Sequence, residues 1–175
     1  MKEYILKNGK NLVIKLAEEG DAEGILLHIN QAGRETDFLG FGKEGYDKDV
    51  EEEKKFINSF TLKNFMLVAM IDGEIIASCS IGTREERVRL KHMGNLGICV
   101  LKKAWGLGVG NYMMEYVLEK SKEGGLTKIN LDVRVDNKKA IHLYEKFGFE
   151  KEGTIKNCLL IDGIYYDNYV MGKNI

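Results

Sequence analysis

Apolar and polar positions change rhythm along the chain in an ordered way. The stretch YILKNGKNLVIKLA (4–17) predicts strand structure around a turn at Asn8-Gly9. After Asp21, Ala22, Ile25, Leu26 and Ile29 recur at helical spacing and predict a first helix. RETDFLGFGKEGYDKD (34–49) has no period and several glycines, which predicts a loop, and VEEEKKFINSF (50–60) predicts a second, strongly charged helix. FMLVAMIDGEIIASCSIG (65–82) predicts a hairpin turning at Asp72-Gly73. A strand over 92–101 is followed by WGLGVG (105–110) and a helix carrying Val109, Met113, Val117 and Leu118. KINLDVRV (128–135) alternates as a strand does, and KKAIHLYEKFG (138–148) predicts a short helix stopped by glycine. Two last strands turn at Asp162-Gly163. The expected order is strand, two helices, three strands, helix, strand, helix, two strands. This is a mixed α/β class, with a largely antiparallel sheet and a βαβ unit at its centre.

At 175 residues, without repeat or linker, the pattern predicts a single domain over 1–175. Charged residues make up 30% of the chain and nearly cancel to a net charge of -1. That balance offers no electrostatic footprint for nucleic acid or an anionic membrane, so neither is an expected partner. No apolar run approaches the ~18 residues needed to span a bilayer. MKEYILKNGK lacks the apolar core of a secretory signal. Cys79, Cys99 and Cys158 are widely spaced with no CxxC pair, which fits a reduced, cytoplasmic protein. The three histidines are too scattered for a metal site, and none is expected.

The candidate chemistry lies in WGLGVG. Glycine is costly inside regular structure, so Gly106, Gly108 and Gly110 imply either a sharp turn or a close approach to the backbone. The stretch joins a strand to a helix, where unpaired N–H groups and the helix dipole attract anions. A Rossmann fingerprint is excluded because Asn111 stands where its third glycine belongs, although Asp132 imitates that fold's ribose-binding acid. A Walker loop is excluded because no Gly-Lys-Ser/Thr follows. On these six residues alone, a turn that binds nothing stays open.

Two segments read together decide more. LGICVLKKAWGLGVGNYMMEYVLE, followed by VDNKKAIHLYEKFGFEKEGT, resembles the GNAT superfamily of acetyl-CoA-dependent acetyltransferases. In that family a strand leads into R/Q-x-x-G-x-G/A, whose main-chain amides hold the coenzyme pyrophosphate, and N-x-x-A-x-x-x-Y-x-x-x-G-F follows. Asn137, Ala140, Tyr144, Gly148 and Phe149 complete the second motif; Gly108 and Gly110 keep the first, with Trp105 where Arg or Gln is commonest. That tryptophan and the ending EGTIKNCLLIDGIYYDNYVM are similar to the branch of spermidine and ribosomal-protein N-acetyltransferases.

The resemblance implies a GNAT-like fold and transfer of an acetyl group from acetyl-CoA to a primary amine: a small amine, a polyamine or a peptide N-terminus. It implies coenzyme contacts at Ile98, Val100, Gly106, Leu107, Gly108, Val109, Gly110, Asn111 and Asn137, and Tyr144 as general acid toward the departing thiolate. Tyr144 shares a helical face with Ile141 and Phe147, so a purely packed aromatic is the plain alternative. Asn137 could equally cap a helix. Many relatives carry a catalytic glutamate where this chain has Asn95, and an amide takes no proton at neutral pH, so Asn95 is expected to orient water. The same departure favours the alternative of a catalytically weak acyl-CoA-binding sensor. In the family the loop after the first helix walls the acceptor site, which points to Glu35, Asp37 and Phe38 as substrate contacts. A homodimer stays open beside a monomer.

Overall fold

The computed structural model describes residues 1–175. Strands β1 (Lys2–Ile5) and β2 (Asn11–Leu16) lead into helices α1 (Ala22–Glu35) and α2 (Val50–Asn58). Then come β3 (Phe65–Ile71), β4 (Glu74–Thr83), β5 (Met93–Val100), α3 (Val109–Glu123), β6 (Lys128–Arg134), α4 (Lys138–Lys146), β7 (Glu150–Ile161) and β8 (Ile164–Asn174). The expected mixed α/β class holds, with one strand more than the sequence pattern implied. The N-terminal segment is itself a hairpin, with Gly9 at φ 79° in its turn.

All eight strands form one sheet in the order β1-β2-β3-β4-β5-β6-β8-β7. Only β5 and β6 pair in parallel, because α3 carries the chain between them; the other neighbours are antiparallel. The tight turns follow from their residues: Asp72 and Gly73 have φ 52° and 81°, Asp162 and Gly163 have 49° and 81°. Positive φ at both central positions is what a two-residue hairpin turn demands.

Helices cover both faces of the sheet. Phe65, Leu67 and Ala69 of β3 belong to the larger core with Val109, Met113 and Val117 of α3. Met66 and Val68, on the opposite face, pack with Ala22 and Ile25 of α1 and Ile57 of α2. A strand buried on both sides reads as a continuous apolar run, which is why FMLVAMI shows no alternation. Each large side chain fully buried there contributes roughly 1.5–3 kcal/mol.

The parallel pair is short. β5 and β6 match only through Met93↔Lys128, Gly94↔Ile129 and Asn95↔Asn130. Beyond it β5 stays with β4 as far as Val100↔Ala77, and β6 stays with β8 as far as Arg134↔Asn168. The sheet therefore splits at the carboxyl ends of its two parallel strands, where open α/β sheets bind ligands.

Candidate active site

A cleft of about 1050 Å³ occupies the split. Its walls are Leu96–Val100 of β5, residues 104–112, Asp132 and Val133 of β6, much of α4, and Thr36 with Phe38–Gly40 from the α1–α2 connection. One wall is built of main chain and the other of side chains.

The main-chain wall is the glycine stretch. Gly106 and Gly108 hold φ of 77° and 91°, left-handed values that glycine adopts without penalty. Gly108 is the N-cap of α3 and has no side chain to satisfy the helix terminus. The N–H groups of Gly106, Gly108, Val109 and Gly110 have no acceptor within the protein, so four donors converge at the positive end of a 15-residue helix. A Cβ on Gly106 would meet nothing within 4 Å, whereas one on Gly110 would lie 3.1 Å from Leu143 Cδ2. Gly106 thus leaves its peptide open to the cleft, while Gly110 also lets α3 approach α4. The cradle fits a pyrophosphate. Lys7, Lys138, Lys139 and Lys146 line the same cleft. Lys146 Nζ donates to Asn111 Oδ1 at 2.6 Å, and Lys139 Nζ sits 4.9 Å from the centre of the Trp105 ring. The lysines were not singled out in the sequence, although the Lys138-Lys139 pair right after the Asn137 cap is the visible signal.

The exposed edge of β5 continues this wall. Leu101 N–H donates to the Ile76 carbonyl at 3.0 Å, which sets the alternation along the strand. Leu101, Cys99 and Gly97 direct their main-chain groups at β4; Ile98 and Val100 direct theirs into the split. The Trp105 indole N–H donates to the Val100 carbonyl at 2.8 Å. The tryptophan standing where the family motif has Arg or Gln thus ties the strand end to the glycine turn. Ile98 keeps both main-chain groups available.

Tyr144 is both core and cleft wall. It is 7% exposed, belongs to the larger core, lies 6.0 Å from Phe149 between ring centres, and lines the cleft. Burial, then the neighbouring Cys79 and Cys99, push its hydroxyl well above the usual tyrosine value, so the O–H stays protonated and can donate. Cys99 is pushed up to about 12 by burial and is no thiolate. Asn137 caps α4 by accepting the Ala140 N–H at 3.3 Å and also lines the cleft, so capping and coenzyme contact are compatible.

The acceptor side departs further from the sequence reading. Asn95 lies where β5 still pairs with β6, outside the cleft wall. Glu35 also lies outside: its carboxylate accepts Lys102 N–H at 2.6 Å and Gln31 Nε2 at 2.9 Å. Burial works to raise that carboxyl, but the two donors outweigh it and hold it below the usual glutamate range. The Asp37 side chain is likewise absent from the wall, whereas Phe38 is in it. Sequence reasoning passed over Asp132 as a Rossmann imitation. It lies on the face of β6 opposite the core residues Leu131 and Val133, and it is exposed in the cleft. Because Asn95 pairs with Asn130, Asp132 falls level with Gly97 across the split, one residue short of Ile98. The strict alternation of INLDVR was the signal for it. The other carboxylate in the wall, Asp136, is held below the usual aspartate range by the Arg134 guanidinium, which donates to both of its oxygens.

Known proteins share this arrangement. A family model described as "Acetyltransferase (GNAT) family" matches residues 30–149. The L-amino acid N-acetyltransferase of Escherichia coli is 38% identical over 108 residues, 61% of this chain and 66% of its own length. A GNAT-family acetyltransferase from Streptococcus pneumoniae superposes with a TM-score of 0.90 at 32% identity, covering 94% of this chain and 99% of that one. A phosphinothricin acetyltransferase from Sinorhizobium meliloti, solved in complex with acetyl-CoA, has the same fold with a TM-score of 0.82 at 16% identity, covering 94% and 88%. No helix of this chain is long and apolar enough to cross a membrane.

Proposed function

The chain belongs to the acetyltransferase (GNAT) family, and on that premise we propose the acceptor it uses and the residues that serve the transfer. It is an acetyl-CoA-dependent N-acetyltransferase, with acetyl-CoA as donor. The proposed acceptor is a primary amine entering from the α1–α2 face, with an α-amino group as the first class to test. The likeness to an L-amino acid N-acetyltransferase over 108 residues supports that choice. Glu35 is committed to Lys102 and Gln31 and is not free to hold a cationic group of the substrate.

Acetyl-CoA supplies the acetyl group and a thiol leaving group. The four free N–H groups of the glycine cradle would hold its pyrophosphate, and the Ile98 main chain would orient its arm. Tyr144 keeps its proton and donates it to the departing sulfur. Asp132 accepts the proton that the amine must lose, directly or through one water. The protons balance: an ammonium acceptor gives one to Asp132 to become the nucleophile and releases a second after attack, which replaces the one that Tyr144 gives to sulfur. Asn95 orients solvent beside the paired end of the strands. The observation that carries this reading is the split itself, which puts free main-chain donors, a protonated tyrosine and an exposed carboxylate in one cleft. Asp132 also answers the argument for a mere acyl-CoA sensor, which rested on the lack of a carboxylate at position 95.

The test incubates the protein with acetyl-CoA and a panel of amino acids, dipeptides, diamines and monoamines, following free thiol and the mass of the product. N-acetylation of at least one amine class, fastest for α-amines, is expected. Acetyl-CoA binding with no thiol release from any amine would support the sensor and overturn the proposal.

A further inference from the structure

We propose that Arg134 is the positioning residue that fixes the acceptor wall and thereby sets acceptor selectivity. This rests on the reading of the α1–α2 face as the acceptor side. Arg134 ends β6 two residues beyond Asp132, on the same face, and is 8% exposed. Its Nε and Nη2 donate to the two carboxylate oxygens of Asp136 at 2.7 and 2.9 Å, and its Nη1 donates to the Asp37 carbonyl at 3.0 Å. The Phe38 ring lies 4.4 Å from the guanidinium carbon and the Tyr166 ring lies 4.1 Å from it. One planar cation therefore joins the α1–α2 connection, β6, the start of α4 and β8.

The α1–α2 connection depends on this contact. Residues 36–49 contain neither helix nor strand. Within 36–41 the other hydrogen bonds are local, Thr36 N–H to Ala32 and Phe38 N–H to the Thr36 hydroxyl. The bond from Arg134 to Asp37 spans 97 positions and is the one that ties this run to the sheet. It sits beside Phe38, Leu39 and Gly40, which line the cleft. The same guanidinium holds Asp136, next to the Asn137 cap of the helix that carries Tyr144. The acceptor wall and the acid-bearing helix are thus set relative to each other by one side chain. A lysine could keep the charge but neither the fork nor the double stacking.

The test compares wild type with Arg134→Lys. Acceptor kcat/KM at saturating acetyl-CoA should fall by roughly tenfold or more, mostly through KM, as expected for losing charge-assisted hydrogen bonds and a stacked anchor. Discrimination between a preferred amine and a poor one should narrow, while acetyl-CoA Kd by calorimetry changes clearly less than acceptor kcat/KM, since the glycine cradle is built elsewhere and only Asn137 adjoins the clasp. Phe38→Leu should produce the same narrowing, and the double variant should lose less than the two single losses combined. Unchanged acceptor kinetics, or equal losses toward acetyl-CoA and acceptor, would overturn the proposal. Hydrogen exchange gives a readout independent of turnover. The hydrogen-bonded amides of Thr36 and Phe38 should exchange about tenfold faster in Arg134→Lys, with the β3 and β4 amides unchanged. Equal exchange in both proteins would overturn the clasp even if no acceptor amine were ever found; failure of wild type to acetylate any amine would count against the proposed function alone.

Discussion

Residues 96–100 and 104–112 form the coenzyme wall from one run of chain, whereas the acceptor wall joins Phe38 of the α1–α2 connection to Asp132 of β6, with Arg134 at the end of that strand stacked behind Phe38. The first offers mainly main-chain groups: the free N–H donors of the glycine turn and the unpaired edge of β5. The second offers side chains, and its irregular segment is held by a guanidinium far away in sequence. Main-chain donors need only the backbone path, fixed by glycines that turn and a helix that starts, so such a wall can hold one unvarying ligand. A side-chain wall can change its ligand by changing a few residues. The difference predicts that substitutions in the two walls separate coenzyme binding from acceptor use.

The largest separation is expected at Asp132. Asp132→Asn keeps the shape and removes the proton acceptor, so kcat/KM for the acceptor should fall by about 10²–10⁴-fold at neutral pH. Acetyl-CoA Kd should be unchanged. An acceptor amine has an ordinary pKa near ~10.4, or ~7.7–8.0 for an α-amino group, and loses its proton unaided as pH rises. The deficit should therefore be greatest near neutral pH and shrink toward the acceptor's own pKa. The charged groups nearest Asp132 in sequence are Arg134 and Asp136, paired to each other, and Lys138 and Lys139 line the same cleft. A pH–rate comparison of variant and wild type measures this. A deficit constant at every pH would mean that Asp132 attracts or positions the amine instead.

A smaller effect of opposite kind is expected at Gly108. A Cβ there would lie 3.6 Å from Tyr112 Cε2, an ordinary contact, so space alone does not forbid a side chain. The backbone does: φ is 91°, and a β-branched residue held there is strained by ~1–3 kcal/mol. Gly108→Val should relax away from the cradle geometry and weaken acetyl-CoA binding by about 5- to 100-fold. Calorimetry checks it, and unchanged affinity in a folded variant would remove the glycine turn from the coenzyme site.

The same contrast explains what could be read from the sequence. Element order, the strand–glycine–helix unit and the Asn137–Tyr144 pair are local in sequence, with chemistry that travels with the motif. The first hairpin was undercounted because β1 has only 4 residues and its burial merely alternates between partial and none. Asn95 was expected in the site from its position in the motif, but the split opens only after the last β5–β6 pair, which Asn95 itself makes. Where two strands part is a tertiary fact with no local signature. Glu35 likewise looked available until the fold brought the Lys102 N–H against it from 67 positions away. The Arg134 clasp was invisible for the same reason, since its partners lie in three other elements.

The central claim is that the cleft transfers an acetyl group and that Tyr144 supplies the sulfur's proton. Tyr144→Phe removes one hydroxyl and keeps the ring that packs in the core, so measuring acetyl-CoA Kd and kcat on the same preparation tests it most directly. The account predicts unchanged Kd and a fall in kcat of about 10²–10⁴-fold. A folded Tyr144→Phe protein that keeps full kcat would contradict it and leave the tyrosine as core alone.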